Sequence, residues 1–399
     1  MRLIYLHQYF AFPDIHSSTR SYDLATEFIR DGIKVTVITT TTKIKGLDER
    51  RRWNYIERDQ ICLWVLTCNY NQTMNPLSRI KAFLRFMIFA TFKTLRLEAD
   101  LVLATSSPLS VAIPALLKKK LSGVPYVFEV RDIWLETLIK TGYLKNRLII
   151  NILSYIEKVI YKNANHIVPL SIDMEKSILD TVPTAKTTVI PNISEINRFQ
   201  ASIVNFDIGI KVKPAPYKYI LYAGAIARGN GLMYVAEMAK VFIKINPFVI
   251  FIVIGAGNER DTIIEYCKNS GILNKNIFFP QPVPKEKLPF LYQIATMGSS
   301  FVINHPVLWA NSANKFFDTL AAGKPVLINY LGWQADLIKR ENLGYVLPPI
   351  ITHSDIVKFN EYLNNTDLLA IQSRNSLDVA KSKFSLKIAA QKYSAILKC

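Results

Sequence analysis

Asn311-Ser312-Ala313-Asn314-Lys315-Phe316-Phe317-Asp318-Thr319-Leu320-Ala321-Ala322-Gly323-Lys324-Pro325-Val326-Leu327-Ile328 reads as a polar loop, a short helix, a stop and a strand. Gly323 ends the helix and Lys324-Pro325 leads directly into the apolar run Val326-Leu327-Ile328. A helix start presents unpaired N–H groups that suit anions. Asp318, one turn inside, is placed to hold a ribose hydroxyl. Loop, helix start, acid and turn together describe half of a nucleotide-diphosphate site.

The same strand–loop–helix scheme runs outward in both directions. Leu3-Ile4-Tyr5-Leu6, a loop through Ser17-Ser18, a helix over 19–31 and Val35-Thr36-Val37-Ile38 make a βαβ opening, which implies a parallel sheet. Leu101-Val102-Leu103, a helix over 111–120, Tyr126-Val127-Phe128, Ile167–Leu170 and 188–192 continue it as strands and helices. After an irregular segment near 195–216 the scheme restarts, with strands at Tyr219–Tyr222, Val249–Ile254, Ile277–Phe279, Ser300–Ile303 and Val326–Ile328. The fold class expected is α/β, with two doubly wound Rossmann-like domains facing a cleft. The domains expected are 1–198 and 217–376, with a last helix in 377–399 crossing back to the first.

The 399 residues, 50% hydrophobic, are enough for two cores. The net charge of +18 suits nucleic acid, an anionic membrane or a phosphorylated substrate. No helix-turn-helix, zinc-finger or RNP-type signature supports nucleic acid. Cys62, Cys68, Cys267 and Cys399 lack metal-ligand spacing and read as buried free thiols in a reducing compartment. Residues 101–117 and 288–314 are uncharged but too broken or too polar to span a bilayer, and no signal peptide is visible, so a soluble or peripheral protein is expected.

Four further stretches carry candidate chemistry. Gly255-Ala256-Gly257 lacks the third glycine of a dinucleotide fingerprint and reads as tight-turn packing. Gly224 and Arg228, in the loop 223–231, offer a relaxed backbone and a planar cation for an anion. Glu129-Val130-Arg131-Asp132 closes a strand; Asp132 suits an acceptor hydroxyl, Arg131 suits a phosphate, and a structural ion pair is the plain alternative. Over 77–97, Leu77, Ile80, Phe83, Leu84, Met87, Ile88 and Leu95 form one side, while Arg79, Lys81, Arg85, Lys93 and Arg96 share the other with Phe86, Phe89 and Phe92. This pattern, with Lys118-Lys119-Lys120, reads either as an interfacial membrane helix or as a core-facing helix with a solvated face.

The order of these pieces resembles the retaining family-four glycosyltransferases of GT-B fold. The resemblance rests on Tyr9-Phe10-Ala11-Phe12-Pro13 with Arg20, Glu129-Val130-Arg131-Asp132-Ile133-Trp134, Val189-Ile190-Pro191-Asn192, Tyr222-Ala223-Gly224, and Asn314 to Val326. The wording is most similar to amino-sugar transferases of O-antigen and capsule synthesis, such as those of the N-acetyl-L-fucosamine type. It implies a UDP-sugar donor held by Arg228, Asn314, Lys315, Asp318 and Gly224, with Asp132 near the reacting carbon. Ser17, Ser18 and Arg131 would line the acceptor or phosphate side. It also implies a lipid-linked glycan acceptor, an anionic membrane surface at the inner face of the cell membrane, no nucleic acid, no cofactor and no metal. Three positions depart from the pattern: Ala310 replaces a Glu, Asn230 replaces a Lys, and Ser17-Ser18 replaces Gly-Gly. Two other readings stay open, a GT-B-fold UDP-sugar epimerase and a non-catalytic membrane-associated protein.

Overall fold

Short runs of valine, leucine and isoleucine, mostly buried on both faces, form two sheets, the second parallel and the first parallel apart from one edge strand. The computed structural model describes residues 1–398 except Asn69, 71–73, Ser107 and 202–204. Cys399 therefore lies outside the described residues; Cys68 and Cys267 are buried free thiols and Cys62 is partly buried. The chain divides into two units.

The first unit comprises Met1–Pro191, Ala310–Ser312 and Leu386–Cys399. Its strands are β1 (Arg2–Leu6), β2 (Lys34–Thr40), β3 (Trp53–Arg58), β4 (Ile61–Leu66), β5 (Leu101–Thr105), β6 (Tyr126–Val130) and β7 (His166–Pro169). They lie in the order β3-β4-β2-β1-β5-β6-β7. All pairings are parallel except β3 with β4. That hairpin is absent from the sequence reading because its turn, Asp59-Gln60, takes positive φ at both residues without the glycine that usually signals it. Residues 188–192 are not a strand; only Thr187 bridges to Ile167.

Helices α1 (Arg20–Arg30), α2 (Pro76–Arg96), α3 (Ala112–Ser122), α4 (Trp134–Lys140), α5 (Arg147–Asn163) and α6 (Ile172–Thr181) flank the sheet. Helices α2, α3 and α5 share one core with the sheet: Ala82, Phe86, Ala90, Ala115, Ile160 and Tyr161 pack with Ile4, Val102 and Phe128. The small residues Ala82 and Ala90, four either side of Phe86, set the phase of α2. Phe86 is therefore fully buried and Phe89 packs against the core, contrary to the expectation that they face a membrane. The outward stripe is apolar instead: Leu77, Ile80, Leu84, Ile88 and Phe92 are exposed, beside exposed Lys81 and Arg85. Two of the three lysines at 118–120 are engaged at helix ends. Lys118 Nζ donates to the carbonyls of Leu95 and Leu97 at the end of α2, and Lys119 Nζ to that of Asn163 at the end of α5.

The second unit comprises Asn192–Trp309 and Ala313–Ser385. Its strands are β8 (Lys218–Ala223), β9 (Val249–Ile254), β10 (Ile277–Phe278), β11 (Met297–Ser300), β12 (Val326–Ile328) and β13 (Gly344–Val346). They pair in parallel in the order β10-β9-β8-β11-β12-β13, the doubly wound arrangement. Strand β11 ends at Ser300 rather than reaching 303. The Asn329 side chain accepts from Val302 N at 3.0 Å and donates to its carbonyl at 2.9 Å, holding that backbone outside the ladder. The helices are α7 (Ile196–Gln200), α8 (Met233–Ile245), α9 (Arg260–Asn269), α10 (Leu288–Ile294), α11 (Asn314–Ala321), α12 (Trp333–Glu341), α13 (His353–Asn364) and α14 (Thr366–Lys383).

The last helix, α15 (Leu386–Leu397), belongs to the first unit. Phe384-Ser385 separate it from α14, where the sequence suggested one helix over 377–397. Tyr393 packs its ring 5.7 Å from that of Phe28, and Ser394 Oγ donates to the Asp31 carboxylate at 2.6 Å. Among the described residues no helix is long and apolar enough to cross a membrane.

One buried charge pair ties the first unit together. Arg20 Nε meets Glu129 Oε1 at 2.7 Å, with side chains 1% and 0% exposed. Arg20 also donates to the carbonyls of Pro191 at 2.6 Å and Ile190 at 3.0 Å. The hydroxyls of Thr105 and Tyr393 donate to Glu129. Burial pushes the Glu129 carboxyl up, but Arg20, Arg131 and the two hydroxyls overcome it and hold it down to about 2. Its stabilising contribution is thus present above the ordinary carboxylate range and is lost as pH falls toward 2. Arg20→Leu leaves Glu129 buried and unpaired, and urea denaturation at pH 7 should show a loss of about 3–5 kcal/mol. A loss below about 1 kcal/mol would mean the pair contributes little.

Candidate functional site

In doubly wound sheets ligands bind outside the carboxyl ends of the strands, where the strand order reverses. In the second unit that point lies between β8 and β11. Strand β8 runs out at Ala223, and the loop beyond it is pinned by its own side chains. Tyr222 donates its hydroxyl to the Ala225 carbonyl at 2.7 Å, and Asn230 Nδ2 donates to the same oxygen at 3.0 Å. Helix α11 then brings Lys315 to this loop. Its Nζ lies 4.9 Å from the Tyr222 ring centroid and 3.4 Å from Asn230 Oδ1.

Gly224 makes that approach possible, since a Cβ there would stand 2.7 Å from Lys315 Cε. Gly255 and Gly257 have the packing role expected of them: a Cβ at 255 would meet the Gly224 carbonyl oxygen at 1.8 Å, and one at 257 that of Ile226 at 2.1 Å. Burial lowers the Lys315 ammonium to about 8, against the opposing pull of Asp318. Arg228 is exposed in the short turn Arg228–Asn230, with no ion-pair partner among the described residues. Asn314 opens α11 behind Ala313, which supplies no side-chain cap.

One turn along α11, Asp318 is buried. Its Oδ2 forms an ion pair with Lys285 Nζ, the two side chains being 7% and 8% exposed. Sequence reasoning missed Lys285, because Lys285-Glu286-Lys287 looks like a solvated turn. Thr319 Oγ1 donates to the Lys315 carbonyl at 2.7 Å and the Tyr292 hydroxyl does so at 3.3 Å, which fixes the first turn of the helix.

The first unit reverses its strand order between β1 and β5. Arg131, just past β6, donates from Nη2 to Ser18 Oγ at 3.1 Å, and its backbone N–H donates to Ser106 Oγ at 2.9 Å. Ser17 and Ser18 are partly buried and Asp132 is exposed. The acid of this motif that forms the buried pair is Glu129, and its partner is Arg20, not Arg131. At the end of β1, His7 and Gln8 are buried, and His7 Nδ1 and both Gln8 side-chain polar atoms have no hydrogen-bond partner among the described residues. Burial, then Arg131, lowers the His7 imidazole to about 3, so it is neutral at ordinary pH. Neither residue stood out in a strand-like run. Among the described residues no group of three His, Cys, Asp or Glu side chains is arranged to hold a metal.

Two Rossmann-like units, the second carrying a lysine and a carboxylate one helical turn apart at its switch point, define a doubly wound α/β protein. Residues 17–193 match the Glycosyl transferase 4-like domain family, and residues 205–377 match the Glycosyl transferases group 1 family. The chain thus carries a 4-like and a group 1 glycosyltransferase domain in succession, on the GT-B architecture. It is 22% identical over 181 residues to spore coat protein SA of Bacillus subtilis, a match covering 44% of this chain and 47% of that protein. The chain thus spans about half the length of that curated relative. Sucrose-phosphate synthase from Thermosynechococcus elongatus superposes with a TM-score of 0.79 at 13% identity, over 100% of this chain and 98% of that one. Anabaena HepE in complex with UDP-glucose superposes with a TM-score of 0.70 at 15% identity, over 100% and 99%.

The depressed Lys315 carries a stability consequence. Its unfolded state binds more protons between about pH 8 and the ordinary lysine range, so the folded chain gains stability as pH rises through that window. Lys315→Met should raise stability at pH 7 by on the order of 1 kcal/mol and remove that rise. Urea denaturation at several pH values between 7 and 10 checks it; a destabilised variant with an unchanged profile would show that the ammonium is well satisfied where it lies.

Proposed function

We propose that this chain transfers a sugar, with retention of configuration, from a UDP-sugar to a lipid-linked or glycan acceptor in bacterial surface polysaccharide synthesis. The sugar fitting the sequence resemblance is an N-acetylated amino sugar. The observation that carries the reading is Lys315. A largely enclosed ammonium beside Gly224, with one long hydrogen bond and an aromatic face, is matched to an incoming anion. Its Nζ stands against Asn230, where the resemblance expects a lysine, so the missing charge is restored from α11.

In this reading Lys315 and Arg228 receive the diphosphate, helped by the start of α11 at Asn314, and Asp318 receives the ribose. The UDP-glucose held by HepE supports a uridine donor. Charge builds on the leaving diphosphate in the transition state, and fixed cations stabilise it there without a metal or other cofactor. On the first unit Asp132 orients the acceptor hydroxyl and takes its proton, while Ser17, Ser18 and Arg131 hold the acceptor's polar or phosphate groups. The hydroxyl attacks from the face the diphosphate leaves, which gives retention.

UDP affinity measured by calorimetry should fall as pH rises from 7 to 9, because Lys315 loses its proton near 8 while the phosphates stay charged. Arg228→Ala should lower sugar transfer from a panel of UDP-sugars to extracted lipid acceptors by about 10- to 100-fold in a folded protein. Full activity in that variant, or no UDP binding by the wild type, would sink the assignment.

A lipid-linked acceptor places the chain at the inner face of the cell membrane, as a peripheral protein. The outward stripe of α2 supports this, and α5 presents a second one: Leu148, Ile149, Ile152 and Tyr155 are exposed at helical spacing beside exposed Arg147 and Lys158. Both helices pack on the same face of the first sheet. Apolar stripes edged with cations suit an anionic leaflet, at roughly 1 kcal/mol per basic group. Arg79, by contrast, lies 5.7 Å from the Tyr70 ring centroid. Lys81→Glu with Arg85→Glu, and separately Leu84→Asp with Ile152→Asp, should each abolish sedimentation with phosphatidylglycerol vesicles. Unchanged sedimentation in both would mean these faces meet only water.

A further inference from the structure

We propose that Lys285 is a positioning residue for nucleotide recognition: it holds Asp318 so that the carboxylate selects a ribose over a deoxyribose. The inference rests on the UDP reading of the site. The ion pair engages Asp318 through Oδ2, and Oδ1 takes no hydrogen bond from the described residues. A carboxylate with one oxygen anchored and the other open has a single direction in which to accept a hydroxyl.

The surroundings make Lys285 necessary for that geometry. Asp318 sits in the apolar stretch Phe316-Phe317-Asp318-Thr319-Leu320, all of it buried. A carboxylate there without a cation carries an uncompensated desolvation cost. Lys315, three residues earlier on α11, points to the Tyr222 ring and Asn230 instead, at the loop expected to face the phosphates. The two lysines thus divide the work: Lys315 meets the anionic end of the nucleotide, and Lys285 prepares the carboxylate at its sugar end. A buried ion pair that served packing alone would be replaceable by apolar side chains with little effect on any ligand.

The test compares the affinities of UDP and 2′-deoxy-UDP by calorimetry. The wild type should prefer UDP by about tenfold or more, the effect of one charge-assisted hydrogen bond. In Lys285→Met the preference should fall below about twofold, with UDP still bound. Should that variant not fold, Lys285→Met with Asp318→Asn removes both charges together, and its preference should be equally small. A tenfold preference kept in either variant, or equal weakening of both nucleotides, would show that Lys285 is structural and overturn the proposal. A wild type that binds both nucleotides equally overturns it too, while leaving the UDP site standing. A wild type that binds neither nucleotide removes the UDP reading itself.

Discussion

Everything distinctive about this chain follows from parallel sheets buried on both faces. Strands such as Val249–Ile254 offer no solvent-facing side, so polar chemistry is confined to their ends. The doubly wound order then singles out one end and one gap in each sheet. The second unit fills its gap with Gly224, Asn230 and Lys315, and the first places His7, Ser18 and Arg131 around its own. The glycines at 224, 255 and 257 serve the same constraint, since three loops must crowd against one another where the strands stop.

Much of this was legible in the amino-acid sequence, because the signals were local. The α/β alternation, the short helix carrying Asp318 and the loop with Arg228 are contiguous patterns of apolar runs, glycines and charges. What escaped depended on distant partners. Glu129 looked like a neighbour of Arg131, yet its partner Arg20 is 109 residues away. Lys285 acquires meaning only against Asp318, 33 residues further on. The β3–β4 hairpin was missed for a different reason: its turn, Asp59-Gln60, has positive φ at both residues but carries Gln60 where that conformation usually takes glycine.

Helix α2 shows how periodicity alone can misplace a face. Its leucines and isoleucines form the larger apolar arc, and that arc would ordinarily be turned inward. The buried arc is the one with alanines, because close packing against α3 rewards small side chains around a single Phe86. Lys118 and Lys119 show the related point for charge. Basic residues counted toward a membrane patch are in fact hydrogen-bonded to the carbonyls that end α2 and α5. A run of like charges is therefore a poor measure of surface potential until each ammonium has been placed.

The first unit is discontinuous in the chain: it takes Tyr393, in α15, as a hydrogen-bond donor to Glu129. Synthesis delivers Arg20 and Glu129 first, and the hydroxyl that completes their environment follows Glu129 by 264 residues. At ordinary elongation rates of about 5–20 residues per second, that wait is on the order of ten seconds or more. The second unit is contiguous apart from three residues and lacks this dependence. The N-terminal half of the chain is thus begun first and finished second, an order of assembly set by where one tyrosine lies in the sequence.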